Sequence, residues 1–154
     1  MKTTFAVALL GALMLAGAAG AQPNTACRLT PGEQMVAFPR GAPPALVAAV
    51  NRDLSPYAMP GGAFNATDVV GPGSPPVMRR LVWVRRLGAR FVVAYEQGGI
   101  AHFWKANAYQ LSGDGRSVAP MGSAIAFNND LCGPVERLLR ARTIVQVDPG
   151  RPGK

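Results

Sequence analysis

Apolar and polar positions along this chain change their spacing several times, and each change predicts an element. Residues 43–54 read PPALVAAVNRDL, with Leu46, Val47, Val50 and Leu54 on one side of a 3.6-residue period, which predicts a helix. Paired prolines suit its first turn, where no amide hydrogen needs an acceptor. Pro56 ends it, because the residue before a proline avoids helical geometry. From residue 80 the pattern becomes β-branched and aromatic in three runs, 80–86 (RLVWVRR), 90–96 (RFVVAYE) and 100–105 (IAHFWK). Leu87-Gly88-Ala89 and Gly98-Gly99 separate them, so the spacing predicts consecutive hairpins, the second closed by a two-residue turn at Gly98-Gly99.

The third run continues through residues 107–111. Ser112-Gly113-Asp114-Gly115 then turns the chain into a fourth strand at 116–121, placed at an edge because Pro120 cannot donate to a ladder. A second helix follows at about residues 131–142, with Asn128, Asn129 and Asp130 as caps, Pro134 in the first turn and Val135, Leu138 and Leu139 as its apolar stripe. Residues 143–147 suit a last short strand. Residues 22–42 are a Pro- and Gly-punctuated lead-in, and 57–77 a long irregular connection in which 63–70 suggests one further strand. These elements compose an α+β fold: an antiparallel meander of four to five strands, packed on one face by two helices.

Composition adds an address. Lys2, the apolar run 5–15 and the small-x-small triplet Ala19-Gly20-Ala21 read as a secretory signal peptide over residues 1–21, cleaved before Gln22. The uncharged run is at the short limit for a spanning helix and no basic stop follows it, so a membrane anchor is disfavoured. Cleavage removes 21 of 154 residues and leaves 133, which suit one domain at 22–148 followed by a short tail at 149–154. No second stretch approaches spanning length. The expected location is periplasmic or secreted. There, Cys27 and Cys132, the only cysteines, are most simply a disulfide.

Charge changes the picture less. Sixteen Lys and Arg against eight Asp and Glu give +8, mostly from arginine, which admits an acidic protein or an anionic envelope component as partner. Arginine-rich composition with high Ala, Gly and Pro accounts for the same excess without any partner. Five arginines, 79, 80, 85, 86 and 90, gather around one hairpin. Arg85, Arg86 and Arg90 read either as an anion-binding edge or as charge that keeps a strand edge soluble.

A turn at Gly98-Gly99 would set Tyr95 opposite His102 and Val93 opposite Trp104. One face would then carry Phe91, Val93, Tyr95, His102 and Trp104, the other Ala94, Glu96, Phe103 and Lys105. Tyr95, His102 and Trp104 thus become candidate ligand-contacting residues, with His102, the sole histidine, as the acid–base candidate. Against this, a lone strand histidine and a few aromatics are more often plain sheet core. Asn65-Ala66-Thr67 matches a glycosylation acceptor triplet and nothing more.

Missing motifs narrow the function. There is no Gly-x-Ser-x-Gly elbow, Ser-x-x-Lys, phosphate loop, dinucleotide fingerprint or His-Glu-x-x-His, so no catalytic residue is assigned. One histidine and two bridged cysteines cannot build a usual zinc site, and neither metal nor cofactor is expected. The pattern favours a small exported, non-catalytic binding protein, an inhibitor or an envelope-component binder. Two alternatives remain: an anionic glycan or nucleic-acid binder, with nucleic acid the less favoured, and a small hydrolase using His102 with a carboxylate or Tyr95.

Overall fold

The computed structural model describes residues 27–127, 130–141 and 145–146, so the expected leader and the 149–154 tail lie outside it. Six strands pair in chain order: β1 (Glu33–Val36), β2 (Arg79–Leu87), β3 (Arg90–Gln97), β4 (Phe103–Leu111), β5 (Val118–Ala126) and β6 (Val145–Gln146). The first five run antiparallel as the expected meander, and β6 adds two residues parallel to β5. Helix α1 (Pro44–Leu54) follows β1 and helix α2 (Cys132–Arg140) follows β5. Cys27 and Cys132 form the expected disulfide, with their Cα atoms 5.2 Å apart across 105 residues.

The helices do not share a face, contrary to the expectation from sequence. Leu46, Ala49, Val50 and Leu54 of α1 pack with Leu81, Val84, Phe91, Val93, Tyr95 and Tyr109. Leu131 and the α2 residues Val135, Leu138 and Leu139 pack with Trp83, Val92, Ala94, Ala106, Ala108 and Ala124. Successive β3 side chains therefore enter different cores, and residues 91–96 are all buried. The reason lies in the run Phe91-Val92-Val93-Ala94, which has no polar face to offer solvent and needs a cover on each side. Alanines at 94, 106, 108, 124 and 126 give α2 a low floor on which to lie.

Two bulges set which side chains look where. Leu81 pairs with Tyr95 but Trp83 with Ala94, so Val82 is an extra residue in β2. Past the bulge the alternation is reset. Arg80, Trp83 and Arg85 all face α2, while Arg79, Leu81, Val84 and Arg86 face α1. In β5, Tyr109 pairs with Pro120 and Ala108 with Gly122, which leaves Met121 extra and turned into the α2 core. Pro120 sits in β5 beside β4 alone, since β6 joins only at Gly122 and Ser123.

The β3–β4 hairpin also departs from the expected register. Gln97 pairs with Phe103, Glu96 with Trp104 and Tyr95 with Lys105, so five residues, 98–102, form the loop. The shift from the expected pairing is odd, and it moves Tyr95 and Trp104 to opposite faces. Gly98 is glycine for another reason than turning the chain. A Cβ there would run into the Asn65 carbonyl oxygen and lie 2.8 Å from Ala66 Cα. Backbone of the 57–77 connection thus passes directly over the hairpin.

That connection forms no strand at 63–70. Ala58 makes a single parallel bridge to Arg80, with its N–H donating to Arg79 O at 2.8 Å and its carbonyl accepting from Leu81 N–H at 2.8 Å. Asn65 is buried and structures the rest: its Nδ2 donates to Val69 O at 3.1 Å, and its Oδ1 accepts from the Thr67 amide at 3.1 Å. The side-chain amide of the glycosylation triplet is therefore engaged and enclosed.

Candidate functional site

Chemically distinctive side chains gather at the end of the sheet where β2 begins, β3 ends and β4 begins. Glu96, only 2% exposed, is the centre of the group. Arg80 faces it across the β2–β3 pair and donates from Nη2 to both carboxylate oxygens, each at 3.0 Å. His102, at the end of the 98–102 loop, brings Nε2 to 3.3 Å from Glu96 Oε2. The imidazole lies against Trp104, ring centroids 4.6 Å apart, and against Phe64 of the long connection at 5.9 Å. Arg80 covers the same Phe64 ring, Cζ 4.4 Å from its centroid, and its Nη1 donates weakly to Gly62 O at 3.4 Å. One buried carboxylate thus holds a cation from the sheet and a histidine from a loop. A second loop is wedged between these two through Phe64.

Of the candidates read from sequence, His102 and Trp104 do come together here, and Tyr95 does not join them. Tyr95 is buried on the α1 face, and burial raises its pKa; neighbouring Arg79 and Asn107 partly oppose that. Beside it, Tyr109 Oη donates to Asp53 Oδ2 at 2.9 Å, and burial together with this bond drives its pKa well above the ordinary tyrosine value. The Tyr109 hydroxyl thus ties α1 to the sheet, and Tyr95 packs beside it against α1. The Trp104 indole Nε1 and Arg85 Nε are buried with no acceptor among the described residues.

The hairpin arginines are spread over the molecule. Arg85 is buried against Trp83, Cζ 4.6 Å from the ring, pairs with Glu33 at 3.6 Å, and donates from Nη2 to Cys27 O. Burial pulls its pKa below the ordinary value and Glu33 opposes that. Arg86 is exposed on the other face, where its Nε donates to Gly88 O at 2.7 Å and its guanidinium overlies Phe91. Arg90 donates to Leu139 O at 2.8 Å and Arg79 to Leu54 O at 3.0 Å, so each satisfies a carbonyl near the end of one helix. Arg85, Arg86 and Arg90 therefore form no common patch.

Sequence reasoning missed Glu96, Arg80 and Phe64 as members of the cluster. An acid closing a run of apolar strand residues, with an arginine at the start of the preceding run, was the available signal. The same end carries a row of exposed apolar side chains that sequence reading also passed over. Ile100 is 95% exposed, Val69 and Val70 are each 72% and Phe127 is 69%. Phe127 meets Phe103, ring centroids 6.0 Å apart, and Met78 is exposed at the start of β2. Met78, Ile100, Phe103 and Phe127 flank consecutive ends of β2 to β5, while Val69 and Val70 belong to the connection that precedes β2.

Two clefts among the described residues lie elsewhere. One of about 550 Å³ runs beside α1 between Pro39, Arg40, Pro44, Val47 and Asn51. Another, of about 410 Å³, opens where β1 and the Ala58 bridge diverge along β2, between Met35, Phe38, Pro60, Leu81 and Trp83. Neither contains a pair of acid–base groups. Among the described residues no cluster of three or more His, Cys, Asp or Glu side chains could hold a metal ion, and no helix is long and apolar enough to cross a membrane. Comparison of the chain with models of protein families, with characterised proteins and with solved structures finds no match.

Proposed function

We propose that this chain is an exported, non-catalytic binding protein that docks a partner with the loop-bearing end of its sheet. The observation that carries the reading is the exposure of four large apolar side chains, Val69, Val70, Ile100 and Phe127, on loops and a strand end rather than in a core. Single exposed apolar residues are ordinary, but several at adjoining loop tips are typical of recognition surfaces. Export rests on the residue 1–21 leader, and the Cys27–Cys132 disulfide is compatible with an oxidising compartment. The partner presents an apolar contact surface, which an inhibited exported enzyme or another envelope component can supply.

The test is variant-dependent capture from an envelope extract of the native host. Ile100→Asp and Phe127→Asp should lose the captured protein while keeping the wild-type unfolding curve, and Arg86→Glu should keep it. Equal recovery by all three variants removes the docking end from consideration.

A hydrolase reading has one observation in its favour, the hydrogen bond between His102 and the buried Glu96, since an oriented imidazole is what a general base requires. Any esterase or phosphodiesterase activity that survives His102→Ala unchanged rejects it. Anionic-glycan or nucleic-acid binding draws less support, because Arg85 is buried and Arg90 spends a donor on a helix carbonyl. That reading requires affinity that falls steeply with salt.

A further inference from the structure

We infer that Arg80, Glu96, His102 and Phe64 act as a clasp that pre-orders the two docking loops, making them positioning residues for recognition. The inference rests on the docking reading above and adds what sets the shape of that surface. The loops in question are 62–70, bearing Val69 and Val70, and 98–102, bearing Ile100. Neither contains a strand or helix of its own. Both are nevertheless tied to one rigid point on the sheet.

The ties are specific. Glu96 sits in β3 with both oxygens on Arg80 Nη2, so the carboxylate and guanidinium are fixed by paired strands before any loop is considered. The 98–102 loop is then bound at its far end by His102 Nε2 on Glu96 Oε2 at 3.3 Å, and at its near end by the Gly98 amide donating to Met78 O at 2.7 Å. The other loop is bound where Phe64 lies between Arg80 and His102, and again where the Asn65 amide donates to Val77 O at 2.8 Å. Between these points the loops touch each other, Asn65 and Ala66 backbone against Gly98, a contact only glycine permits. Asn65 then fixes the position of Val69 through its own side-chain amide. A chain of contacts thus runs from a buried carboxylate to two of the most exposed apolar side chains; none of its four residues is a member of either helix-packed core, and it meets the α2 core only through Trp104 beneath His102. Loops ordered in advance lose less freedom on association, so a surface of this kind binds more tightly than the same residues on slack loops.

Amide hydrogen exchange of the full chain tests this with Phe64→Ala and His102→Ala, both chosen outside the two helix-packed cores. Exchange at Asn65, Thr67 and Gly98 should quicken by about tenfold or more, while β3 amides such as Val92 and Val93 stay as protected as in the wild type. Phe64→Tyr, which keeps the ring, should remain protected. Unchanged exchange at the three loop amides overturns the inference, as does equal acceleration throughout the sheet, which would make these residues ordinary contributors to stability. Capture separates the two claims. If Ile100→Asp abolishes capture and the clasp variants loosen the loops yet bind as well as wild type, the clasp has no role in recognition. If Ile100→Asp leaves capture intact, the docking reading fails, and the exchange result still decides whether the clasp orders the loops.

Discussion

Two arginine–glutamate pairs sit on the same face of β2, five positions apart, and they do different work. Arg85 meets Glu33 in the buried corner where the N-terminal segment is held to the sheet, with Thr30 Oγ1 also donating to that carboxylate. Arg80 meets Glu96 at the loop end, with its guanidinium partly open to solvent and a histidine sharing the acid. The first pair is enclosed and leaves Arg85 Nε without an acceptor among the described residues; the second has both carboxylate oxygens engaged and borders water. Identical chemistry becomes an anchor where burial is complete and a support for loops where it is partial. The Val82 bulge makes the comparison possible, because strict alternation would have sent Arg80 and Arg85 to opposite faces.

If the contrast is right, stability should respond far more strongly at the anchor. Replacing both cysteines by alanine removes the anchor's covalent part, and the chain-entropy argument gives a loss of about 4–5 kcal/mol for a loop near a hundred residues. Urea unfolding of the double variant measures it. Next comes Arg85→Ala, which strands Glu33 in a buried site and should cost about 3–5 kcal/mol. At the loop end Glu96→Gln should cost about 1–3 kcal/mol, since the Arg80 charge it releases can reach solvent. An equal or larger loss for Glu96→Gln than for Arg85→Ala would erase the distinction.

The α1 face sharpens it with pH. Folding raises the pKa of Tyr95 and Tyr109 above the ordinary 10.0, mainly through burial. The unfolded chain therefore loses these protons first. The stability they contribute is complete below about pH 10 and declines as pH rises past it. Tyr109→Phe should lower stability near neutrality by about 1 kcal/mol, by removing the bond to Asp53, and flatten the alkaline decline. The smallest effect belongs to Ile100→Asp, within about 0.5 kcal/mol of wild type, because the side chain is 95% exposed. Its consequence should appear only in binding.

Local signals made the elements legible. Prolines bounded α1 at 44–54, the apolar stripe gave α2, and β-branched runs gave β2 and β3 almost to the residue. The β3–β4 register was not legible, because Gly98-Gly99 looks like a turn when Gly98 actually makes room for Asn65 and Ala66, over thirty positions away. β1 went unread since Glu33-Gln34-Met35-Val36 is half polar; its pairing with β2 and the Glu33–Arg85 contact are tertiary facts. The uninterrupted apolar stretch in β3 did carry a sign of double-sided burial, which the expectation of helices on one face overlooked. In the candidate site, His102 and Trp104 were singled out by residue type and an expected register that the structure replaces, and they lie together all the same. Glu96, Arg80 and Phe64 come from three separated stretches, and only the register and the overlying connection unite them.

The bond between Cys27 and Cys132 also governs how this domain would survive attack. Everything from β1 to the start of α2 is enclosed in one covalent ring, and the exposed loop tips at Val69–Val70, Ile100 and Asp114 all belong to it. A single cut by a protease at any of them opens the ring without releasing a fragment. The nicked chain would travel as one band until a reductant is added, then fall into two. A domain with large apolar residues on exposed tips is thereby insured against losing half of itself to the first cleavage.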